Sequence, residues 1–219
     1  MLNLLQGELF LGHDFYTHIG HSLSRWGTGF LLATIFGVCC GLIMGWFPGL
    51  RSLFMPIVCM LQNIPSLAWI PVAILLLGLG NQTTVFIIFL AGLFAIIVNT
   101  VIGVRSIDHF YIRAARMLGA GQLTLFTKIL LPGATPHILS GLRIGLANGW
   151  RALIAAEMVA AQGTGLGYVI LQSRWNFDYT SAFASILIIA VIAIFVEGIF
   201  ESIEMHTIKQ WGLDHEKRG

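Results

Sequence analysis

From Ser52 to Val104 the chain carries no Asp, Glu, Lys or Arg. A water-soluble core would need a charged face somewhere along such a run. One bilayer crossing takes roughly 20 apolar residues, so this stretch suits two spans. The rest of the chain agrees: 57% of its 219 residues are hydrophobic and 10% are charged, against about 25% charged in soluble domains. The reading is therefore an all-α, polytopic membrane protein in one domain, 1–219. Five spans are predicted, over about 26–47, 53–79, 84–104, 137–161 and 182–204. Helices are preferred to barrel strands because the segments are long, continuous and without apolar/polar alternation.

Basic residues set the orientation. With the amino terminus outside, the inner regions hold Arg51, Arg105, Arg113, Arg116, Lys128, Lys209, Lys217 and Arg218, and the outer regions only Arg25 and Arg174. The carboxyl terminus is then inside. The net charge of +2 comes with no basic patch interleaved with aromatics, so nucleic acid is not a partner. Cys39, Cys40 and Cys59 lie in apolar runs and read as buried free thiols. Met1-Leu2-Asn3-Leu4 lacks the basic region of a signal peptide.

Within the second span, Pro56, Pro65 and Pro71 interrupt the helix, with Gln62, Asn63 and Ser66 nearby. Broken helices at membrane depth persist where protein or a wet cavity satisfies the freed backbone groups. Gln62, Ser66 and Trp69 share a helical face. Two roles fit that face: a kinked packing surface, or the wall of a solute pathway.

Residues 105–136 form a cytoplasmic loop longer than a plain connector. Residues 110–118 favour helix, with Ala114 and Ala115 giving a smooth surface. Gly119 or Gly121 can supply the positive φ of a sharp turn. Residues 122–131 can form a second helix with Leu123, Phe126 and Leu130 on one face, ended by Pro132. The expected product is a helix–turn–helix knob suited to docking in a partner's groove.

These residues carry a family likeness. The loop resembles the "EAA" loop of binding-protein-dependent ABC importer permeases: Glu-Ala-Ala, three residues, Gly, nine residues, Ile, one residue, Leu-Pro. Ala114, Ala115, Gly119, Ile129, Leu131 and Pro132 fall at those spacings, while Arg113 stands where the pattern has Glu. Ala120 follows the turn glycine. Two further stretches, Ile64–Gly80 and Gly149–Met158 followed by Gly165-Leu-Gly-Tyr168, are similar to the nitrate, sulfonate, taurine and bicarbonate type. The likeness spans about residues 15–213.

The resemblance implies a type I ABC importer permease fold in a bacterial inner (cytoplasmic) membrane. It implies pairing with a second permease, either another copy in a homodimer or a close relative. Two ATP-binding subunits would dock on the loop around 110–132, with ATP and magnesium held on those partners. A periplasmic or lipid-anchored binding protein would deliver a small anionic solute. No Gly-x-x-x-x-Gly-Lys-Ser/Thr phosphate loop occurs here, so ATP hydrolysis is not expected of this chain, nor any cofactor. Relatives usually begin with an extra span; residues 1–25 are read instead as an outer-surface segment, with 8–22 a surface helix and its histidines solvated.

Arg151 and Glu157 are the charges deepest in the membrane, where ionisable groups are costly and face protein or a cavity. Arg151 either attracts a passing anion or holds the bundle through carbonyls or Glu197. Glu157 reads as a turn cap near the outer end. Arg143 lies close enough to the inner surface to reach water, and Glu201 and Glu204 read as a solvated helix end. The stripe Gly37-x-x-x-Gly41-x-x-x-Gly45 serves either dimer contact or packing within the subunit. A membrane protease would need a catalytic constellation inside the spans, which is missing. An ion-gradient-driven secondary transporter or channel is the closer rival, but it leaves the 105–136 loop unexplained.

Overall fold

Small residues decide how these apolar helices meet, because lipid gives them no hydrophobic reason to associate and close backbone approach must supply the contact. The computed structural model describes residues 9–10 and 13–210; Met1–Leu4, Lys217 and Arg218, named above, lie outside the described residues. Two short strands, β1 (Leu9–Phe10) and β2 (His13–Asp14), pair antiparallel. Helices then follow: α1 (Phe15–Trp46), α2 (Pro48–Gln62), a 3-10 turn (Ser66–Trp69) and α3 (Ile70–Leu77). Next come α4 (Asn81–Arg105), α5 (His109–Met117) and α6 (Gln122–Leu125), then a π-helical turn (Phe126–Leu130). The described residues close with α7 (Leu131–Ala160), α8 (Leu166–Trp175) and α9 (Tyr179–Gln210).

The centre is a three-helix layer in which α4 lies between α1 and α7. A Cβ added at Gly29, Gly37, Gly41 or Gly45 of α1 would come within 2.5–2.8 Å of the Cβ of Ile88, Ile96, Thr100 or Val104 on α4. The glycine stripe thus packs inside the subunit, which settles one of the two alternatives. On the other flank, Gly141 of α7 faces Asn99 and Gly145 faces Ile96, at 2.7 and 2.9 Å for the same virtual atom.

Among the described residues, α1, α4 and α9 (over Tyr179–Thr207) are long and apolar enough to cross a membrane. The pair α2 and Ser66–Leu77 reaches the same standard together, bent by 93°. The break falls at residues 63–65: Pro56 is accommodated inside α2, Pro65 precedes the 3-10 turn, and Pro71 opens α3. A proline at a first helical turn costs little because its missing N–H would have no partner there. The remaining expected span corresponds to α7, which carries Arg143, Arg151 and Glu157 and is sheltered by its neighbours α1, α4, α8 and α9.

Other expectations change. Residues 15–22 are not a surface helix: they open α1, and Phe15, His18 and Ser22 are buried. The three cysteines are exposed rather than buried, because a span bundle is apolar on its outside too and an apolar run does not imply a protein-facing position. Pro132 does not end a helix. It sits in the first turn of α7, and helical backbone runs unbroken from Gln122 to Ala160. The π turn makes room: Leu131 N–H donates to Phe126 O, five residues back, just where the proline cannot donate. That turn also places Leu125 and Leu130 together in the core, leaving Leu123 77% exposed. A face drawn on 3.6-residue geometry missed this.

Candidate functional site

The break in the α2–α3 span builds a cavity. Gln62 ends α2, Ser66 and Trp69 line the 3-10 turn, and Arg151 comes across from α7. All four line one cavity of about 260 Å³, closed further by Phe94, Asn148 and others. Asn63 is left out: it is exposed, and its amide donates to Cys59 O at 2.8 Å. Arg151 Nε donates to Ala147 O at 3.1 Å and Nη2 to Asn148 Oδ1 at 3.2 Å. Those bonds hold the guanidinium against its own helix and leave it further N–H groups for a guest. Among the described residues, no carboxylate lines the cavity. Glu197, the alternative partner considered for Arg151, lies beside Arg143 instead, as do Glu201 and Glu204, at 3.6–3.8 Å. Arg143 therefore ties α7 to α9 rather than standing alone in water.

The knob lies where α4 ends and α7 begins. Asp108 caps α5 by accepting from Phe110 N–H at 2.8 Å. At the other end Gly119 has φ +82°. Its N–H donates to Arg116 O, and Ala120 N–H donates to Ala115 O, each at 3.0 Å. This bond pair is a Schellman turn, and it needs the left-handed conformation glycine adopts freely. Gly121, the other candidate, has φ −72° and opens α6. Arg113 is exposed, Ala114, Ala115, Ile129 and Pro132 are half-buried, and Leu131 is 38% exposed. The tip is apolar in a way the spacing did not reveal: Phe110, Tyr111, Met117 and Leu118 are all exposed, the last two by 88% and 89%.

At the opposite end of the bundle a buried ionic network replaces the turn cap expected of Glu157. Its carboxylate is fully buried and receives Arg25 Nη1 at 2.7 Å, Ser22 Oγ at 2.8 Å and Gly167 N–H at 3.0 Å. Arg25, read as an outer-surface charge, is 5% exposed. It also donates to Thr164 O and Asn81 Oδ1, both at 2.7 Å. His18 is also buried rather than solvated, its Nδ1 accepting from Gly165 N–H at 3.1 Å. The glycines are steric requirements: at φ +131°, a Cβ on Gly165 would sit 2.6 Å from the Glu157 carboxyl carbon. Together these groups pin α1, α4, α7 and α8. The one carboxylate of α7, lying in the apolar run that follows Arg151, was the available signal, since such a group needs a buried cation.

Residues 33–208 match the family of binding-protein-dependent transport system inner membrane components. A probable ABC transporter permease of Brucella melitensis is 38% identical over 190 residues, covering 87% of this chain and 76% of that one. The taurine transport system permease of Escherichia coli is 35% identical over 198 residues, 90% of this chain and 71% of its own. In fold, a chain of the MetNI methionine ABC transporter, solved in inward-facing conformations, superposes with a TM-score of 0.73 at 19% identity, over 94% of this chain and 97% of that one. The architecture is that of a type I importer permease, and the chain belongs to the binding-protein-dependent ABC transporter permease family.

Proposed function

We propose that this chain, paired with a second copy, forms the translocation pathway of an ATP-driven importer for a small anion of the sulfonate, nitrate, taurine or bicarbonate class. The observation that carries the substrate class is Arg151 on the cavity wall, with no carboxylate among the lining residues. A guanidinium offers paired N–H donors matched to planar or tetrahedral oxyanions. A gradient-driven carrier would be expected to place titratable carboxylates beside its solute, so the same lining argues against it.

The knob at residues 109–130 is the docking element for two ATP-binding subunits, which hold ATP and magnesium. Its exposed apolar tip is suited to burial in a partner's groove. Arg113 in place of Glu leaves the docking geometry unaltered and changes only the charge that the knob carries. The orientation is amino terminus outside. Burial of Arg25 within the network removes it from the count of free outer charges, which sharpens the basic bias toward the knob side. A binding protein delivers solute from the opposite end.

The test is uptake of labelled taurine, nitrate and bicarbonate by cells carrying the complete transporter, with Arg151→Gln and Arg151→Lys. Loss of a charge-assisted hydrogen bond, about 1.5–3 kcal/mol, should weaken uptake of the transported anion roughly 10- to 100-fold, with partial rescue by lysine. Uptake unchanged in Arg151→Gln would remove the anion assignment.

A further inference from the structure

A second and larger cavity, of about 1120 Å³, opens at the knob end between α5 and the junction of α1 with α2. Four guanidiniums line it: Arg51 of α2, Arg105 at the end of α4, and Arg113 and Arg116 of α5. His109 adds a polar edge, and no Asp or Glu lines it. None of the four arginines pairs with a carboxylate among the described residues. The nearby Asp108 is occupied as the cap of α5. Three of the four are exposed and Arg51 is half-buried, so water solvates them, and the cleft they share carries a positive potential that favours an anion as occupant. Arg113 contributes to the imbalance, since an acid at that position would offset one of the charges.

Three features say what kind of anion. First, α5 has two faces. His109, Ile112, Arg113 and Arg116 turn to the cleft, while Phe110, Tyr111 and Met117 lie on other sides and are exposed. The face free for a protein partner is therefore not the face that lines the cleft. Second, the cleft lies where α1 and α4, two of the helices long and apolar enough to cross a membrane, come to their ends. Third, α2 carries an exposed apolar stripe beside it: Leu50, Leu53, Phe54 and Ile57, at helical spacing and 39–62% exposed. An occupant with a phosphate head and a hydrocarbon tail satisfies both surfaces, and a free anion satisfies only one.

We infer that this cleft binds an anionic phospholipid of the knob-side leaflet, its phosphate held by Arg51, Arg105, Arg113 and Arg116 and its acyl chains lying along Leu50, Leu53, Phe54 and Ile57 of α2. The site couples the knob to the membrane: one headgroup bridges α5 to α2 and the end of α4. It is independent of the transported solute.

The full-length chain, purified in mild detergent, is titrated with phosphatidylglycerol and with phosphatidylcholine of the same acyl chains, and bound lipid is counted by native mass spectrometry. Phosphatidylglycerol is expected to bind at least tenfold more tightly. Arg51→Gln/Arg105→Gln, and separately the exposed Arg116→Gln, should each erode that preference, the double variant by roughly tenfold or more. Arg174→Gln, outside the cleft, should not. Melting curves verify that each variant is folded. Equal binding of the two lipids, or an unchanged preference in both cleft variants, overturns the assignment. Displacement of phosphatidylglycerol by inorganic phosphate at equal concentration also overturns it, in favour of a soluble anion.

Discussion

Replacing Glu157 by leucine removes the one carboxylate facing Arg25 and keeps the side-chain volume. Arg25, 5% exposed, then stays buried without its counter-ion, and Gly167 N–H loses its acceptor. Breaking a buried pair by removing one partner costs about 3–5 kcal/mol. Arg25→Met is the mirror case, leaving a carboxylate at 0% exposure with only Ser22 and Gly167 to serve it. On the scale of about 2–4 °C per kcal/mol for a chain of this size, each single variant should melt roughly 10 °C lower. The double variant Arg25→Met/Glu157→Leu should recover much of that loss, because no uncompensated charge remains. Intrinsic fluorescence in a fixed detergent reads the transition, with Trp26 and Trp150 in edge contact at 5.7 Å near the network. Single variants melting within 2 °C of the parent would show that the pair is not held as a buried ion pair, as would a double variant whose loss equals the sum of the two.

Gly41→Leu should separate α1 from α4, since even its Cβ would meet Thr100 Cβ at 2.5 Å; overpacking costs about 1–3 kcal/mol or more, and the melting temperature should fall accordingly. Gly119→Val should leave the bundle folded but distort the knob, because left-handed backbone costs a non-glycine residue about 1–2 kcal/mol; ATP-coupled uptake should drop while the melting temperature falls by about 2–8 °C at most, and unchanged uptake would speak against the docking role. Asp178 precedes α9, and hydrogen bonds from the Ser181 hydroxyl and amide hold its carboxyl below the ordinary 3.8. Its contribution is therefore full above pH 4 and lost as pH falls through the depressed value. Asp178→Ala should cost about 1 kcal/mol at neutral pH, and the gap to the parent should close in acid melts.

What the sequence made legible was local. A charge-free run gives spans, and Gly119 at fixed distance from Ala114 and Ala115 gives a left-handed turn after a short helix, which is what φ +82° and the Schellman bonds describe. Gln62, Ser66 and Trp69 could be put on one face from their spacing, and they do line one cavity. The misses are non-local or depend on an unusual turn. Arg25 and Glu157 are 132 residues apart, and nothing in either neighbourhood names the other. The π turn before Pro132 shifts the helical phase, so Leu125 rather than Leu123 faces inward. The cysteines were misplaced because apolarity in a membrane chain does not distinguish lipid from core.

The proposed role is that of one part of an ATP-driven machine, engaged through residues 109–130. Its most direct test is to tag the chain in its native host, purify it in mild detergent, and identify the co-purifying chains and their stoichiometry. Two copies of an ATP-binding subunit are expected per two permease copies, lost from the purified material when the exposed Leu118 is changed to aspartate. A chain that purifies alone as a stable oligomer, with no ATP-binding subunit, would contradict it.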